Sequence, residues 1–232
     1  MNDISSEFMD RVRNGLIVSC QAPEGSPLHG RNLMAVMAEA AASGGAAAIR
    51  AEGLADIRSI KSAVDLPVLG LIKAKSDASP VIITPLLQNV IDLMEVGADM
   101  IAVDATLRRR MDGTNGPEFI ARARELGVPI LADIDEIDAA VAAEKHGATA
   151  VSTTLSGYTN GAVPRLPDID LVAACVRECS VPVIAEGRFA TPSQVAQAFK
   201  AGAWAVCVGG AITDPWLTTR KFVANMHNVE EK

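Results

Sequence analysis

Short apolar runs alternate with longer segments of helical periodicity along the whole chain. The runs are four to six residues long and rich in Val and Ile, as is typical of strands buried on both faces of a parallel sheet. The intervening segments, such as Pro117–Leu126 and Ser193–Ala201, have the apolar spacing of helices. This alternation predicts parallel strands joined by crossover helices. The eight predicted strands are Leu16–Cys20, Ala47–Arg50, Val68–Lys73, Met100–Asp104, Ile130–Asp133, Ala150–Thr154, Val183–Glu186 and Ala205–Val208.

The residues that precede the strands follow two alternating patterns. The even-numbered strands follow a Gly-Ala pair, and glycine suits this position because a helix end often needs a residue with positive φ. These glycines are Gly45, Gly97, Gly147 and Gly202, whereas strands three, five and seven follow Pro67, Pro129 and Pro182. Two strand types alternating through eight strands indicate a quarter-barrel repeat, and eight parallel strands close into a (β/α)8 barrel.

A doubly wound open sheet is the main alternative to the barrel. That fold predicts Gly-x-Gly-x-x-Gly after the first strand, where this chain has Ser19-Cys20-Gln21-Ala22, and the chain has no Walker A motif. We therefore predict an α/β protein with a single (β/α)8 barrel domain over residues 1–232. Residues 1–14 are expected to form a helical segment before the barrel and residues 224–232 a polar tail.

Composition and charge argue against several kinds of binding partner and indicate the cellular compartment. The 232 residues are 49% hydrophobic and 21% charged, which is typical of a folded globular protein. A net charge of −7 without a basic block argues against binding to nucleic acid or an anionic membrane. No apolar run is long enough for a membrane span or a signal peptide. Cysteines that lie in apolar runs or on a helix favour reduced thiols, so we predict a cytoplasmic protein.

Polar residues end the predicted strands, at the end of the barrel where such folds carry their functional groups. Because these groups would converge on one mouth, their regular occurrence predicts an active site there. In strand order they are Gln21, Arg50, Lys73, Asp104, Asp133, Thr153 with Thr154, Glu186, and Gly209 with Gly210.

Strands seven and eight carry a candidate phosphate site. Strand seven continues into Gly187 and Arg188, and strand eight continues into Gly209 and Gly210. Glycines let backbone N–H groups approach an anion, and these two loops commonly bind phosphate in barrels. Arg188 would add a charge-assisted contact. The sequence therefore favours a phosphorylated small molecule over the alternative, in which the glycines only permit tight turns.

Lys73 and Glu186 are the candidate acid–base pair. They end strands three and seven, which lie nearly opposite each other in a ring of eight, so the two groups would flank a carbon and move protons on either face. A salt bridge that closes the mouth is the alternative. The histidines His29, His146 and His227 do not end a predicted strand, which disfavours a metal centre. We therefore predict no metal.

At these strand ends the sequence resembles the N-acetylmannosamine-6-phosphate 2-epimerase family. The resemblance runs collinearly from about Gly15 to Val223, and Thr153–Thr159 together with Ile184–Arg188 are its most specific parts. It implies a (β/α)8 barrel, a homodimer, no cofactor, and interconversion of N-acetylmannosamine 6-phosphate and N-acetylglucosamine 6-phosphate in amino-sugar and sialic-acid catabolism. The matching segments are Gly15–Gln21, Ile49–Ala51, Leu71–Lys73, Val103–Thr106, Leu131–Ile134, Thr153–Thr159, Val183–Arg188 and Val208–Thr213.

The resemblance also implies residue roles. Lys73 and Glu186 would transfer protons at C2 of the ring-opened sugar through an enediolate, and Arg50 would steady the developing oxyanion. Gln21, Arg50 and Asp133 would hold the sugar's polar groups, and we place Thr153 with them as a substrate-binding residue. Gly187, Arg188, Gly209 and Gly210 would hold the phosphate.

Several positions depart from the family pattern. The family usually follows its lysine with a basic residue and Asp-Tyr, where this chain has Ala74, Lys75 and Ser76. Glu52 stands where Asn is usual, Met111 replaces a proline, and Gly210 replaces a serine. Lys73 and Glu186 are unchanged, so the sequence still predicts the epimerase activity.

Two other functions remain open from the residues. The first is another phosphosugar barrel enzyme, an aldolase in which the Lys73 amine forms a Schiff base. The second is a barrel without activity that senses a phosphosugar.

Overall fold

Eight parallel strands pair in sequence order, and the first also pairs with the last, so the sheet closes into a barrel. The computed structural model describes residues 4–161 and 163–226. It confirms the predicted (β/α)8 architecture. The strands are β1 (Leu16–Cys20), β2 (Ala48–Glu52), β3 (Val68–Leu71), β4 (Met100–Asp104), β5 (Ile130–Asp133), β6 (Ala150–Ser152), β7 (Val183–Glu186) and β8 (Ala205–Val208).

Three strands differ from the prediction at their ends. β2 continues to Glu52 because Glu52 pairs in register with Leu71 of β3. β3 ends at Leu71, and Lys73 instead forms an isolated antiparallel bridge with Ile83 in the loop that follows. β6 ends at Ser152, so the predicted strand residues after it belong to the next loop.

Helices follow each strand and cover the outside of the barrel. α5 begins after a reciprocal cap, in which Asn115 Oδ1 accepts from Glu118 N and Glu118 Oε2 accepts from Asn115 N. The helices are α1 (Ile4–Val12), α2 (Met34–Ser43), α3 (Leu54–Ala63), α4 (Leu87–Glu95), α5 (Gly116–Ala123, continued by a 3-10 turn at Arg124–Leu126), α6 (Ile137–Lys145), α7 (Ile169–Glu178), α8 (Pro192–Lys200), α9 (Gly210–Thr213) and α10 (Pro215–Asn225).

The glycines of the Gly-Ala pairs have the predicted conformation. Gly45, Gly97, Gly147 and Gly202 have φ values of 91°, 85°, 96° and 96°. α10 extends into the segment predicted as a polar tail and ends at Asn225. Residues 227–232, including His227, and residues 1–3 lie outside the described part of the chain. Within that part, none of the helices has the length and hydropathy needed to cross a bilayer.

Side-chain alternation divides the barrel interior into an apolar and a polar half. Ile17, Leu69 and Ile184 are buried inside the barrel near its amino end. Phe8 and Val12 of α1 belong to the same apolar cluster, so this helix closes that end. Two residues further along β1, β2, β5 and β7, the inward positions are the polar residues Ser19, Arg50, Asp133 and Glu186, whereas Leu71 of β3 is still apolar. Charged groups therefore lie at the carboxyl end of the barrel.

Candidate active site

A cavity of about 800 Å³ opens at the carboxyl end of the barrel. This volume lies within the range of small-molecule sites. Its wall contains eight of the residues singled out from the sequence: Gln21, Lys73, Thr154, Glu186, Gly187, Arg188, Gly209 and Gly210. The other four singled-out residues, Arg50, Asp104, Asp133 and Thr153, are buried and do not line the cavity.

Lys73 stands on one wall of this cavity beside two oxygen acceptors. Its Nζ donates to Gln21 Oε1 at 2.6 Å and lies 3.4 Å from Glu52 Oε2. Gln21 Nε2 in turn donates to Ser19 Oγ at 2.9 Å, which orients the amide. The Lys73 side chain keeps 37% of its surface exposed, so the amine is held in place but is still open to a ligand.

Glu186 stands on the opposite wall and is held from behind by an arginine. Arg50 Nη1 donates to Glu186 Oε2 at 2.9 Å. The same guanidinium binds Asp133 with both Nη atoms, at 3.0 Å and 2.6 Å. Arg50 and Asp133 are fully buried, whereas Glu186 has 14% of its side chain exposed. The three residues come from β2, β5 and β7, so closure of the barrel is what brings them together.

Burial and neighbouring charges shift the pKa values of this group. Burial raises the pKa of Glu186 above its ordinary value, the positive charge of Arg50 opposes the rise, and Asp133 adds to it. For Arg50, burial is the largest single influence and lowers the pKa, but the attractions of Asp133 and Glu186 and the hydrogen bond to Asp133 together outweigh it, so the pKa is raised. Burial and the nearby Glu186 raise the pKa of the Cys207 thiol well above its ordinary value. Arg50 is therefore a permanent cation, and Glu186 holds a proton more readily than an exposed carboxyl group.

The two threonines after β6 have different surroundings. Thr153 Oγ1 donates to the backbone oxygen of Glu186 at 2.8 Å and accepts from its backbone nitrogen at 3.1 Å. Thr154 lines the cavity, and its Oγ1 lies 2.6 Å from Asp133 Oδ1 and 3.2 Å from Glu186 Oε2. Sequence reasoning gave Thr154 no role of its own. The alternation of inward positions from Ala150 through Ser152 was the signal that would have found it.

Glycines form the cavity wall beside β7 and β8. Gly187 has φ of 107°, a conformation that other residues rarely adopt. Gly209 and Gly210 begin the short helix α9, whose first N–H groups have no partner within the helix. A Cβ on Gly210 would lie 3.1 Å from Leu217 Cδ2, so packing also favours glycine there. Binding of an anion by the backbone N–H groups of this wall stays a prediction.

Arg188 lines the cavity beside these glycines, but much of its guanidinium is already bonded. Its Nε donates to Leu166 O at 2.7 Å, and its Nη1 donates to Ser156 O. The guanidinium also lies 5.4 Å from the ring centroid of Tyr158. These contacts attach the loop after β6 to the cavity wall. A contact between Arg188 and phosphate stays a prediction.

An arginine with no role assigned from the sequence also reaches the cavity. Arg108 lines it, and its Nη2 donates to Asp104 Oδ2 at 2.7 Å. Burial raises the pKa of Asp104, while hydrogen bonds from Thr106 and the charge of Arg108 lower it. Arg110 is buried and donates to backbone oxygens of Asp104 and Thr84. The sequence gives no reason to choose among the consecutive residues Arg108, Arg109 and Arg110. Only the fold shows that Arg108 is the one that lines the cavity.

The described histidines lie outside the cavity wall. His29 is exposed, and its Nδ1 lies 2.8 Å from Ala22 O. His146 caps the end of α6, with Nδ1 2.8 Å from Ala142 O. Over residues 4–161 and 163–226, no cluster of three or more His, Cys, Asp or Glu side chains is placed to hold a metal ion. Independence from metals and cofactors stays a prediction.

Comparisons with known proteins place this chain in one family. The sequence model described as "Putative N-acetylmannosamine-6-phosphate epimerase" matches residues 34–228. The chain belongs to the N-acetylmannosamine-6-phosphate 2-epimerase family. A curated relative of that description from Caldanaerobacter subterraneus subsp. tengcongensis is 46% identical over 94% of this chain and 93% of its own length. One from Clostridioides difficile is 44% identical over 93% of this chain and 97% of its own length.

A solved structure of the same family extends the likeness to three dimensions. It is that of the N-acetylmannosamine-6-phosphate 2-epimerase from Clostridium perfringens, with a TM-score of 0.89 and 42% sequence identity. The match covers 93% of this chain and 95% of that chain. The barrel described above is thus the fold of an epimerase of this family.

Proposed function

We propose that this protein interconverts N-acetylmannosamine 6-phosphate and N-acetylglucosamine 6-phosphate by proton transfer at C2, in amino-sugar and sialic-acid catabolism. The observation that carries the proposal is the placement of Lys73 and Glu186 in one cavity. Lys73 lies just after β3 and Glu186 ends β7, and these two strands stand opposite each other in the ring. The two sugars differ only in configuration at C2. An enzyme that interconverts them needs proton transfer on both faces of that carbon.

The reaction follows from the acidity of C2, which lies next to the C1 carbonyl of the ring-opened sugar. One group of the pair removes the C2 proton, and the electron pair of the broken C–H bond moves into an enediolate. The other group returns a proton to the opposite face of C2. One proton leaves and one is added, so the reaction needs no oxidant or reductant. After the reaction, the group that acted as base is protonated and the group that acted as acid is deprotonated. Lys73 and Glu186 are then in the protonation states that the reverse reaction needs. Each proton transfer of this kind contributes a factor of roughly 10² to 10⁴ in rate.

The residues behind Glu186 keep its carboxylate in position. Arg50 donates to it, and Thr153 holds the backbone of the same residue. Gln21 is on the cavity wall, where its amide is able to meet a sugar hydroxyl. Direct contacts of Arg50, Asp133 and Thr153 with the sugar, and the steadying of the oxyanion by Arg50, stay predictions.

The phosphate would bind at the wall formed by Gly187, Gly209 and Gly210. Because the net charge of −7 does not attract an anion from a distance, binding relies on short-range donors. Backbone N–H groups at a helix start supply such donors, and the free part of the Arg188 guanidinium adds a positive charge. A phosphate at this wall would leave the sugar carbons extending toward Lys73 and Glu186.

Solvent exchange at C2 tests this function. The protein is incubated in heavy water with N-acetylmannosamine 6-phosphate, and NMR follows the products. We expect N-acetylglucosamine 6-phosphate with deuterium at C2. An aldolase would instead be trapped on Lys73 by borohydride with the substrate, and a sensor would give neither product nor exchange. Either of those results would replace the epimerase proposal.

Assembly and compartment are proposed from the same family relation. The chain would be a cytoplasmic homodimer. Large apolar side chains on α10 and just after it are exposed in the single chain, among them Phe222 at 74% and Met226 at 59%, and such patches commonly mark protein interfaces. The four cysteines are free thiols, as a reducing compartment allows. Sedimentation equilibrium that gives a monomer mass would contradict the dimer.

Independence from metal and cofactor completes the proposal. The two proton-transfer groups belong to the chain itself, so activity is expected to survive exhaustive dialysis against EDTA. Turnover that is lost after chelation and restored by zinc or magnesium would contradict this part of the proposal.

A further inference from the structure

Arg108 is a cation of the cavity wall that is fixed in place before any ligand binds. Its Nη2 donates to the buried carboxylate of Asp104 at 2.7 Å, and its Nε donates to Thr106 Oγ1 at 3.0 Å. Thr106 Oγ1 itself donates to Asp104 Oδ1 at 2.7 Å, which completes a closed ring of contacts. The remaining nitrogen, Nη1, has no hydrogen-bond partner among the described residues. A planar guanidinium held on one side offers a directed donor on the other.

Apolar residues of the loop after β3 share this side of the cavity with Arg108. Pro80, Ile82 and Ile83 line the wall. Ser79 Oγ donates to Arg109 O at 2.9 Å, so this loop is attached to the segment that carries Arg108. The wall therefore combines a positively charged donor with an aliphatic surface. This combination matches an acetamido group, which has a carbonyl oxygen and a methyl group side by side.

The position of Arg108 in the ring separates it from the proposed phosphate wall. Arg108 follows β4, whereas Gly209 and Gly210 follow β8, and these strands are four apart in a ring of eight. A hexose 6-phosphate anchored at β8 would present its far end, with C1 and the substituent on C2, toward β4. The C2 substituent of the proposed substrate is its N-acetyl group.

We propose that Arg108, together with Ile82 and Pro80, binds the N-acyl group of the substrate and selects acylated over unacylated amino sugars. This inference rests on the proposed function and specifies its substrate. The acyl oxygen would accept from Arg108 Nη1, and the methyl group would pack on the loop after β3. A free 2-amino group carries a positive charge, and the guanidinium repels it, so the same residue acts against the wrong sugar.

Calorimetric binding to the intact protein tests the inference with three probes. They are N-acetylglucosamine 6-phosphate, glucose 6-phosphate and glucosamine 6-phosphate, titrated at a pH where the amine is protonated. We expect the acetylated sugar to bind tightest and the amine weakest, with at least ~10-fold between acetyl and hydroxyl, as for one charge-assisted hydrogen bond. Glucosamine 6-phosphate that binds as well as glucose 6-phosphate would overturn the inference without any variant.

Variants locate the selectivity. Arg108→Gln is expected to lose at least ~10-fold in affinity for the acetylated sugar and to bind glucose 6-phosphate as before. The matched control is Arg109→Gln, because Arg109 is exposed, adjacent and outside the cavity wall. An unchanged ligand order in Arg108→Gln would overturn the role of Arg108. If the wild-type protein binds none of the sugar phosphates, the proposed function itself fails, which is a different outcome.

Discussion

Arg50 donates from Nη1 to Glu186 Oε2 at 2.9 Å while both of its Nη atoms bind Asp133, so one buried cation serves two carboxylates. Removal of one partner from a buried group of charges like this one strongly lowers the free energy of unfolding. Without Arg50, the fully buried Asp133 carboxylate would have neither water nor a counter-charge to stabilise it. The position of Glu186 in the cavity wall therefore depends on a residue that does not line the cavity.

This relationship predicts a large loss of stability in Arg50→Met. The variant leaves Asp133 and Glu186 without their cation, and we expect the free energy of unfolding at pH 7 to fall by roughly 3–5 kcal/mol. Urea unfolding followed by circular dichroism measures it. Arg177→Met is the control, because the Arg177–Glu178 pair is largely exposed and such pairs contribute about 0–1 kcal/mol. Similar values for the two variants would contradict the buried role of Arg50.

The proton-transfer pair predicts matched losses of turnover. Lys73→Met and Glu186→Gln are each expected to lower kcat by at least ~10²-fold, the lower end for acid–base catalysis. Gln has the shape of Glu, and Met is one heavy atom shorter than Lys, so we expect folding to be nearly unaffected in both variants. Steady-state kinetics with a coupled product assay measures the effect. A variant with near-normal kcat would remove its residue from the mechanism.

The raised pKa of Glu186 predicts the acid side of the pH–rate profile. Its ordinary value is 4.5, and burial moves it upward, so the carboxylate form becomes populated only at higher pH. If this form removes the C2 proton, kcat measured at saturating substrate falls as pH decreases through a midpoint above 4.5. The residual activity of Glu186→Gln should lack this limb. A limb that persists there would belong to another group, such as the substrate phosphate, which titrates near pH 6.

The phosphate wall predicts strong discrimination against the unphosphorylated sugar. N-acetylmannosamine is expected to be processed at least ~100-fold less efficiently than its 6-phosphate, the equivalent of about 2.7 kcal/mol. Binding energy at a remote group also positions the reacting carbon, so kcat should fall together with a rise in KM. In addition, Arg188→Ala should impair the phosphorylated sugar far more than the free sugar. Comparable kcat/KM for the two sugars would mean that the glycines serve only as turns.

Gly116 at the start of α5 predicts a steric effect unrelated to catalysis. An added Cβ would overlap the backbone of Ala105, and a backbone segment has little freedom to move away. We expect Gly116→Ala to lower the free energy of unfolding by at least ~1–3 kcal/mol, the range for overpacked sites. Gly44→Ala is the control, because its Cβ would make contacts of 3.4 Å at negative φ. An equally small effect at both positions would show that α5 shifts easily.

Local sequence patterns were sufficient for the architecture. The period of apolar residues and the positive-φ glycines Gly45, Gly97, Gly147 and Gly202 depend only on short stretches of chain, and they predicted the strands, the helices and the closed barrel. The same patterns predicted Glu186 at the end of β7, which is correct, and Lys73 at the end of β3, whereas Lys73 lies two residues beyond it. Strand ends were less accurate, as at β3, because pairing with a neighbouring strand decides where a ladder stops.

Only the tertiary structure decided which polar residues line the cavity. Arg50 is 83 residues from Asp133 and 136 from Glu186 in the chain, so their mutual contact depends on the closure and stagger of the whole barrel. That contact turned Arg50 into a support behind the wall, while the same closure brought Thr154 and Arg108 into the cavity. The sequence by itself determined the barrel and the residue types at its mouth, because periodicity and turn chemistry are local. The orientation of each side chain depends on partners from distant strands, and for that reason it emerged only with the fold.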